Sequence, residues 1–480
     1  MSKNIVIFSD GTGQAGGLRP DQNLSNIYKL FRASRIGPES PIDPKEQVAF
    51  YDAGLGTDND GGSIPFRSVQ WFRKMWSSVT GTGISRNIAD CYEAILKHHE
   101  PGDRVFLFGF SRGAYTARCV GGVMALCGVP TRAADGGPLP RLGRDLRKIA
   151  DEAVQEVYEH GSGSDLPERK AERLEKARRF RQKYRCEDES GAPNAAPYFI
   201  GVFDTVASLG ASGLRRLGML LLLVGFVALM TAIVTGVVNA VLPFGSYWRT
   251  LFALCLAIGA IILALSFKVS LKTIKDFPDK GNFSWHLAAW RFRFYDNNLN
   301  PNVRYARHAI AIDEDRRDFQ RVPWGSPKDW PDRKGEPEWL RQIWFAGNHS
   351  DIGGSYPEDE SRLSDVSLEW MHEEATSLPH PLRVDRSRLH LFPDPTGMQH
   401  CEIESMRNSY PSWIPDRLRP VWARQSRDLK AQAPLHPSVA VRIRHMNGVL
   451  QYGRRAPYRP TNLIAHEVAV GILQEQGVDG

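Results

Sequence analysis

Leu217 to Leu242 reads LGMLLLLVGFVALMTAIVTGVVNAVL, and no residue in it carries a charge. A helix of that length, rising about 1.5 Å per residue, would cross a hydrocarbon core about 30 Å thick with some tilt. A turn-like PFGSYWR follows, and Leu251 to Phe267 is again free of charge. Tyr247 and Trp248 stand where an interfacial aromatic belt would place them. Arg215 and Arg216 precede the first stretch, Lys268, Lys272 and Lys275 follow the second, and only Arg249 lies between. The positive-inside asymmetry then predicts a transmembrane helical hairpin over 215–275, with both termini and the large polar parts in the cytoplasm. A buried helical pair in a large core is the competing reading. A hairpin that enters a bilayer only on meeting its target is a third.

The rest of the chain alternates short apolar strands with helical segments. Lys3–Ser9, Gln47–Tyr51, Arg104–Phe108, Tyr198–Phe203 and Gln342–Ala346 have the composition of buried strands, while Ile84–His98 and Ala114–Leu126 have helical spacing. This pattern predicts an α/β fold of α/β-hydrolase type: a mainly parallel sheet with helices on both faces, interrupted by the hairpin. The parts are then 1–214, 215–275 and 276–480. Within the first, 141–185 is a charged helical insertion, either a solvated elaboration or a lid.

Lys and Arg total 61 against 54 acids, a formal charge of +7. That excess suits an anionic lipid surface, and no basic block interleaved with aromatics supports nucleic acid. The six cysteines show no CxxC spacing, so neither a metal cluster nor a disulfide framework is expected. The N-terminal apolar run is too short for a signal peptide.

Gly109-Phe110-Ser111-Arg112-Gly113 fits G-x-S-x-G, a weak pattern by itself. Its context sharpens it, because a predicted strand enters it and a predicted helix leaves it. That is the nucleophile elbow, where flanking glycines permit a tight turn that exposes the serine. The backbone N–H of Arg112 would face a developing oxyanion. A nucleophilic serine needs a base and an orienting carboxylate, in chain order Ser, acid, His. Asp204 follows the YFIGVF strand and His349 follows QIWFA on a glycine-flanked loop, so these complete the candidate triad. His308, His436 and Asp351 are the rivals. Gly11, Gly13 and Gly16 have dinucleotide-loop spacing, but Pro20 interrupts the helix such a site needs. Gly11 or Thr12 is better used as a second oxyanion donor. No cofactor or metal is required by this chemistry.

Several blocks now resemble a known family: FSDGTG at 8–13, YDAGLGT at 51–57, PGDRVFLFGFSRGAYTAR at 101–118, GVFDTVAS at 201–208, HAIAIDEDRRDF at 308–319, WFAGNHSDIGGSY at 344–356 and HPSVAVR from His436. The chain is similar to the phospholipase effectors of type VI secretion and their uncharacterised relatives. The resemblance implies catalytic Ser111, Asp204 and His349 and an activity on membrane glycerophospholipids. With the predicted hairpin it also implies an inner-membrane location, with phospholipid as substrate and anchor. The apolar pair between acid and histidine is a departure from the family. A tethered esterase or thioesterase of soluble substrates and a non-catalytic membrane adaptor remain as alternatives.

Overall fold

The computed structural model describes residues 2–54 except 15 and 18–22, then 82–206 except 162, 163 and 165. Beyond these it describes 225, 228–237, 239–240, 247–288, 298–325, 335–419, 421–445 and 447–477. In chain order the main strands are β1 (Asn4–Ser9), β2 (Gln47–Asp52), β3 (Arg104–Phe110), β4 (Phe199–Phe203), β5 (Leu271–Lys275), β6 (Phe283–Leu287), β7 (Tyr305–Ala311) and β8 (Leu340–Phe345). The central sheet has six strands in the order β2-β1-β3-β4-β7-β8, all parallel. β5 and β6 form a separate antiparallel hairpin.

The helices used below are α1 (Asn26–Ser34), α2 (Thr82–His98), α3 (Arg112–Cys127), α4 (Pro167–Tyr184), α5 (Tyr247–Ser270), α6 (His349–Gly353) and α7 (Arg362–Thr376). Strand alternation divides the core in two, since successive side chains point to opposite faces. Ile5, Ile7, Val105 and Leu107 meet α2 and α3 on one face. Val6, Phe8, Phe106 and Phe108 meet α1 and α7 on the other. Phe8 and Phe108 stack with centroids 5.2 Å apart. Each such fully buried side chain contributes roughly 1.5–3 kcal/mol.

β7 is absent from the sequence expectations, and its composition explains why. Arg307 and His308 interrupt the apolar run, yet both are buried. Arg307 pairs with Glu374 of α7, and the His308 Nε2 accepts the Thr205 N–H at 3.2 Å.

The transmembrane hairpin requires correction. Among the described residues no helix is long and apolar enough to cross a membrane. The inner-membrane location and the two-span topology fall with it. Of the first apolar stretch, Leu217 to Leu242, only 225, 228–237, 239 and 240 are among the described residues, and these are helical. The second is part of α5, where Arg249 and Lys268 bound the charge-free run from inside the helix. That run is close to the lower limit of about 17 residues that a span needs. α5 then passes directly into β5, which carries Lys272. This lysine is buried, its ammonium donating to the Gln155 carbonyl at 2.6 Å.

Within 141–185 the described residues form helices over Gly143–Asp151, Glu152–Tyr158 and Pro167–Tyr184. α4 buries Ala177, Phe180 and Tyr184 and turns Glu175, Arg178 and Arg179 outward into ion pairs. The Arg181 guanidinium donates to the Leu126 carbonyl at the C-terminal end of α3. That end is about 22 Å along the helix from Ser111, at about 1.5 Å per residue. The contact thus lies at the opposite end of α3 from Ser111.

Candidate active site

Where β3 meets α3 the backbone turns sharply, and Ser111 adopts φ 58 and ψ −120. This is a strained conformation for a residue with a side chain. Two hydrogen bonds hold it: the Ser111 N–H donates to the Phe203 carbonyl at 3.1 Å, and the Tyr115 N–H donates to the Ser111 carbonyl at 3.3 Å. Both glycines of the motif are required by close backbone approach. A Cβ on Gly113 would lie 2.1 Å from the Ser9 carbonyl oxygen, and one on Gly109 would lie 2.3 Å from that of Gly113. Gly113→Ala is therefore expected to lose about 1–3 kcal/mol of stability through forced backbone displacement, measured by denaturant unfolding.

The sheet order reverses between β1 and β3, and a crevice at the C-terminal strand ends is where α/β sheets bind ligands. The loop after β1 stands opposite Ser111 there. The Asp10 carboxylate accepts the Gly11 N–H at 2.7 Å, the Ser25 hydroxyl at 2.5 Å and the Tyr51 hydroxyl at 2.6 Å. Burial pushes this carboxyl up to about 6 against those hydrogen bonds. The Gly11 N–H, one of the two expected oxyanion donors, is thus engaged by Asp10. The Thr12 hydroxyl accepts from the Arg112 guanidinium, which ties this loop to the start of α3.

Asp204 ends β4 with φ 40, and His349 opens α6 beyond β8. The structure brings this pair together, with His349 Nδ1 and Asp204 Oδ2 2.5 Å apart. Asp204 is fully buried. Burial would raise its carboxyl, but the Arg427 charge and the hydrogen bond to His349 hold it well below the usual carboxylate range. The His349 backbone N–H donates to Glu314 at 3.2 Å, and the Arg316 guanidinium grips Glu314 with two bonds of 2.7 Å. The rings of Phe110 and Phe319 lie 4.7 and 5.4 Å from the imidazole.

Ser111 directly follows Phe110, but it is not hydrogen-bonded to His349, whose buried Nε2 has no partner among the described residues. The rivals have other work. His308 is a core residue as described above. The His436 ring caps a helix through Ser438 and stacks on Phe345 at 4.5 Å. Asp351 closes a capping box with Asn348 and pairs with His400 at 2.8 Å.

Sequence reasoning missed Arg427 entirely. Arg427 Nη1 and Nη2 donate to Asp204 Oδ1 and Oδ2 at 2.5 and 2.9 Å. Its signal is invisible because it lies in an Arg-rich, loop-like stretch that reads as surface. Glu314 lay in a quoted block but without an assigned role.

Among the described residues, one other cluster brings metal-ligating side chains together. His160, Glu172 and His286 place donor atoms within 4.8 Å of one another. Arg169 already grips Glu172 at 2.8 and 2.9 Å, and the Gly161 N–H donates to the His286 Nε2 at 3.2 Å. The latter bond leaves the His286 proton on Nδ1, the nitrogen nearest the carboxylate. The donor set is thus occupied by protein cations and protons, and the cluster fastens the β5–β6 hairpin to α4.

Fold and site together define an α/β protein with a serine elbow and a buried acid–histidine pair at its parallel strand ends. The chain belongs to the family described as the type VI secretion system phospholipase effector Tle1-like catalytic domain, whose model matches residues 3–242 and 263–374. That is a family of lipolytic hydrolases. An uncharacterized protein of Saccharomyces cerevisiae is 26% identical over 211 residues, covering 43% of this chain and 27% of that protein. A crystal structure of an uncharacterized Pseudomonas aeruginosa protein aligns at 16% identity with a TM-score of 0.34, covering 82% of this chain and 49% of the other. The Tle1 effector bound to the VgrG spike aligns at 16% identity with a TM-score of 0.29, covering 76% and 53%. The chain thus spans about a quarter of the yeast protein and about half of each solved chain.

Proposed function

We propose that the protein is an α/β-hydrolase that cleaves carboxylic ester bonds of glycerophospholipids through an acyl-enzyme. The observation that carries this reading is the buried Asp204–His349 hydrogen bond beside a serine in elbow geometry. Asp204 fixes the imidazole with Nδ1 occupied, which leaves Nε2 to act as base. Ser111 loses its proton to His349 as Oγ attacks the ester carbonyl. The oxyanion rests on backbone N–H groups, those of Arg112 and Thr12 being the candidates. The protonated His349 then delivers its proton to the departing alkoxide, and water repeats the cycle on the acyl-enzyme. Catalytic hydrogen bonds are often long or unformed before substrate binds, so the lack of one between Ser111 and His349 is compatible with this role. Phospholipid is the substrate class the family suggests.

The test is fatty-acid release from vesicles of mixed glycerophospholipids, with a short water-soluble ester assayed in parallel. Release from vesicles is the expected result. Turnover of the soluble ester alone would replace phospholipid with a soluble ester or thioester as substrate. No turnover of either, with no covalent labelling by a fluorophosphonate, would overturn the hydrolase reading.

A further inference from the structure

Arg427 reaches the acid of the site from a segment beyond the family match, which ends at residue 374. We propose that Arg427 is a positioning residue for the Asp204–His349 pair, locking the carboxylate and offsetting its charge, so that Arg427 helps set the pH range in which the site works. The proposal rests on the serine-hydrolase reading above.

The guanidinium is held through its two terminal nitrogens, while its buried Nε has no partner among the described residues. Besides its two bonds to Asp204, Arg427 Nη1 donates to the Ala311 carbonyl at 3.1 Å and Nη2 to the Phe319 carbonyl at 2.6 Å. All four hydrogens on the terminal nitrogens are therefore committed. The carboxylate is locked in turn: Oδ1 also accepts the Ala311 N–H at 2.9 Å, and Oδ2 also meets His349. An exposed ion pair would have little consequence, because solvent screens it and both side chains move. This one has side-chain exposures of 1% for Arg427 and 0% for Asp204. A forked arginine is also the cation best shaped to fix a carboxylate plane. A lysine could supply the charge but not both prongs.

The carboxylates nearest His349 each have a basic partner. Asp204 is offset by Arg427, and Glu314, which binds the His349 N–H, is offset by Arg316. Asp351 lies two residues on and is engaged by His400. Arg321 and His308 also feel the Asp204 charge, Asp428 acts on Arg321, and Arg118 and Arg321 act on His308. The aromatic neighbours, Phe110 and Phe319, are uncharged. Removing the Arg427 cation therefore takes away the charge paired directly with the Asp204 carboxylate beside the imidazole and leaves Arg321, which is not hydrogen-bonded to it, as the remaining cation. An extra negative charge at that distance favours the protonated, inactive site.

The experiment measures the rate of fluorophosphonate labelling against pH, with kcat and KM for a short soluble ester. It compares the wild-type chain, Arg427→Gln and Arg427→Lys. In Arg427→Gln the acid limb of labelling is expected to move up by about one pH unit, and kcat to fall about tenfold or more at unchanged KM. In Arg427→Lys the limb should stay within about 0.3 units of the wild type while kcat still falls, because charge is kept and the fork is lost. A wild-type limb in Arg427→Gln overturns the proposal even if its rate drops. Should Arg427→Gln show no cooperative melt, Arg427→Lys decides, and a wild-type kcat there overturns it. A wild type that neither labels nor turns over ester is a different failure, because it removes the hydrolase reading itself.

Discussion

Ser111→Ala is expected to lower ester turnover by about 10⁴-fold or more and to abolish fluorophosphonate labelling, with the fold intact. The size follows from the chemistry assigned to the oxygen. Without Oγ no acyl-enzyme forms, and only binding and oxyanion contacts remain to favour attack by water. The fold should survive for a local reason. The hydrogen bonds that hold residue 111 run through its backbone N–H and carbonyl, and α3 has no side-chain cap from Ser111. Alanine keeps a Cβ at φ 58, so it neither relieves nor adds to the strain. Equal turnover by wild type and Ser111→Ala, at equal melting temperatures, would remove Ser111 as nucleophile.

Asp204→Asn is expected to strike both stability and rate. The folded protein would hold the Arg427 guanidinium against a neutral amide, and breaking a buried pair by removing one partner costs about 3–5 kcal/mol. The amide NH₂ would also face a donor, either His349 Nδ1–H or an Arg427 N–H, so one of these bonds is lost whichever way it turns. Turnover should fall by about 10⁴-fold, because the imidazole loses the acceptor that fixes its tautomer. The pH dependence has a definite sign. The Asp204 carboxyl is held below its ordinary range in the fold. Its contribution to stability is therefore complete above the unfolded value of about 3.9 and is lost as pH falls through the folded value. Urea unfolding of wild type and Asp204→Asn at neutral pH should show the full difference. A difference below about 1 kcal/mol would mean that Arg427 finds another partner, and the ion pair would lose its assigned weight.

How much of this was legible in the sequence differs from residue to residue. The elbow was, because its glycine spacing coincides with a strand-to-helix change that the periodicity shows independently. The strand ends carrying Asp204 and His349 were legible for the same reason, since short apolar runs mark strands and the polar residue that follows marks the crevice. β7 was not, because a strand that buries Arg307 and His308 does not look apolar until Glu374 and the Thr205 backbone are placed beside them. Lys272 misled in the opposite way. Read as a flanking charge it supported a membrane topology, whereas in the fold its ammonium lies buried on a carbonyl. Arg427 could not be read at all, since nothing local distinguishes a buried arginine from the exposed ones around it. Long-range pairing decides these four residues, and a one-dimensional pattern carries no record of it.

The wide spacing of the residues around Asp204 also has a consequence for how the molecule comes into being. Asp204 meets His349 across 145 residues and Arg427 across 223. The strands β1 to β4 can pair among themselves as the chain emerges, because all of them precede Asp204. The contacts that complete the crevice bridge the largest loops and close late, since loop-closure entropy must be met before such contacts reward it. A nascent chain therefore displays its serine elbow well before it holds the histidine and arginine that surround the acid. The surroundings of the Asp204 carboxylate are therefore complete only once the chain has passed residue 427.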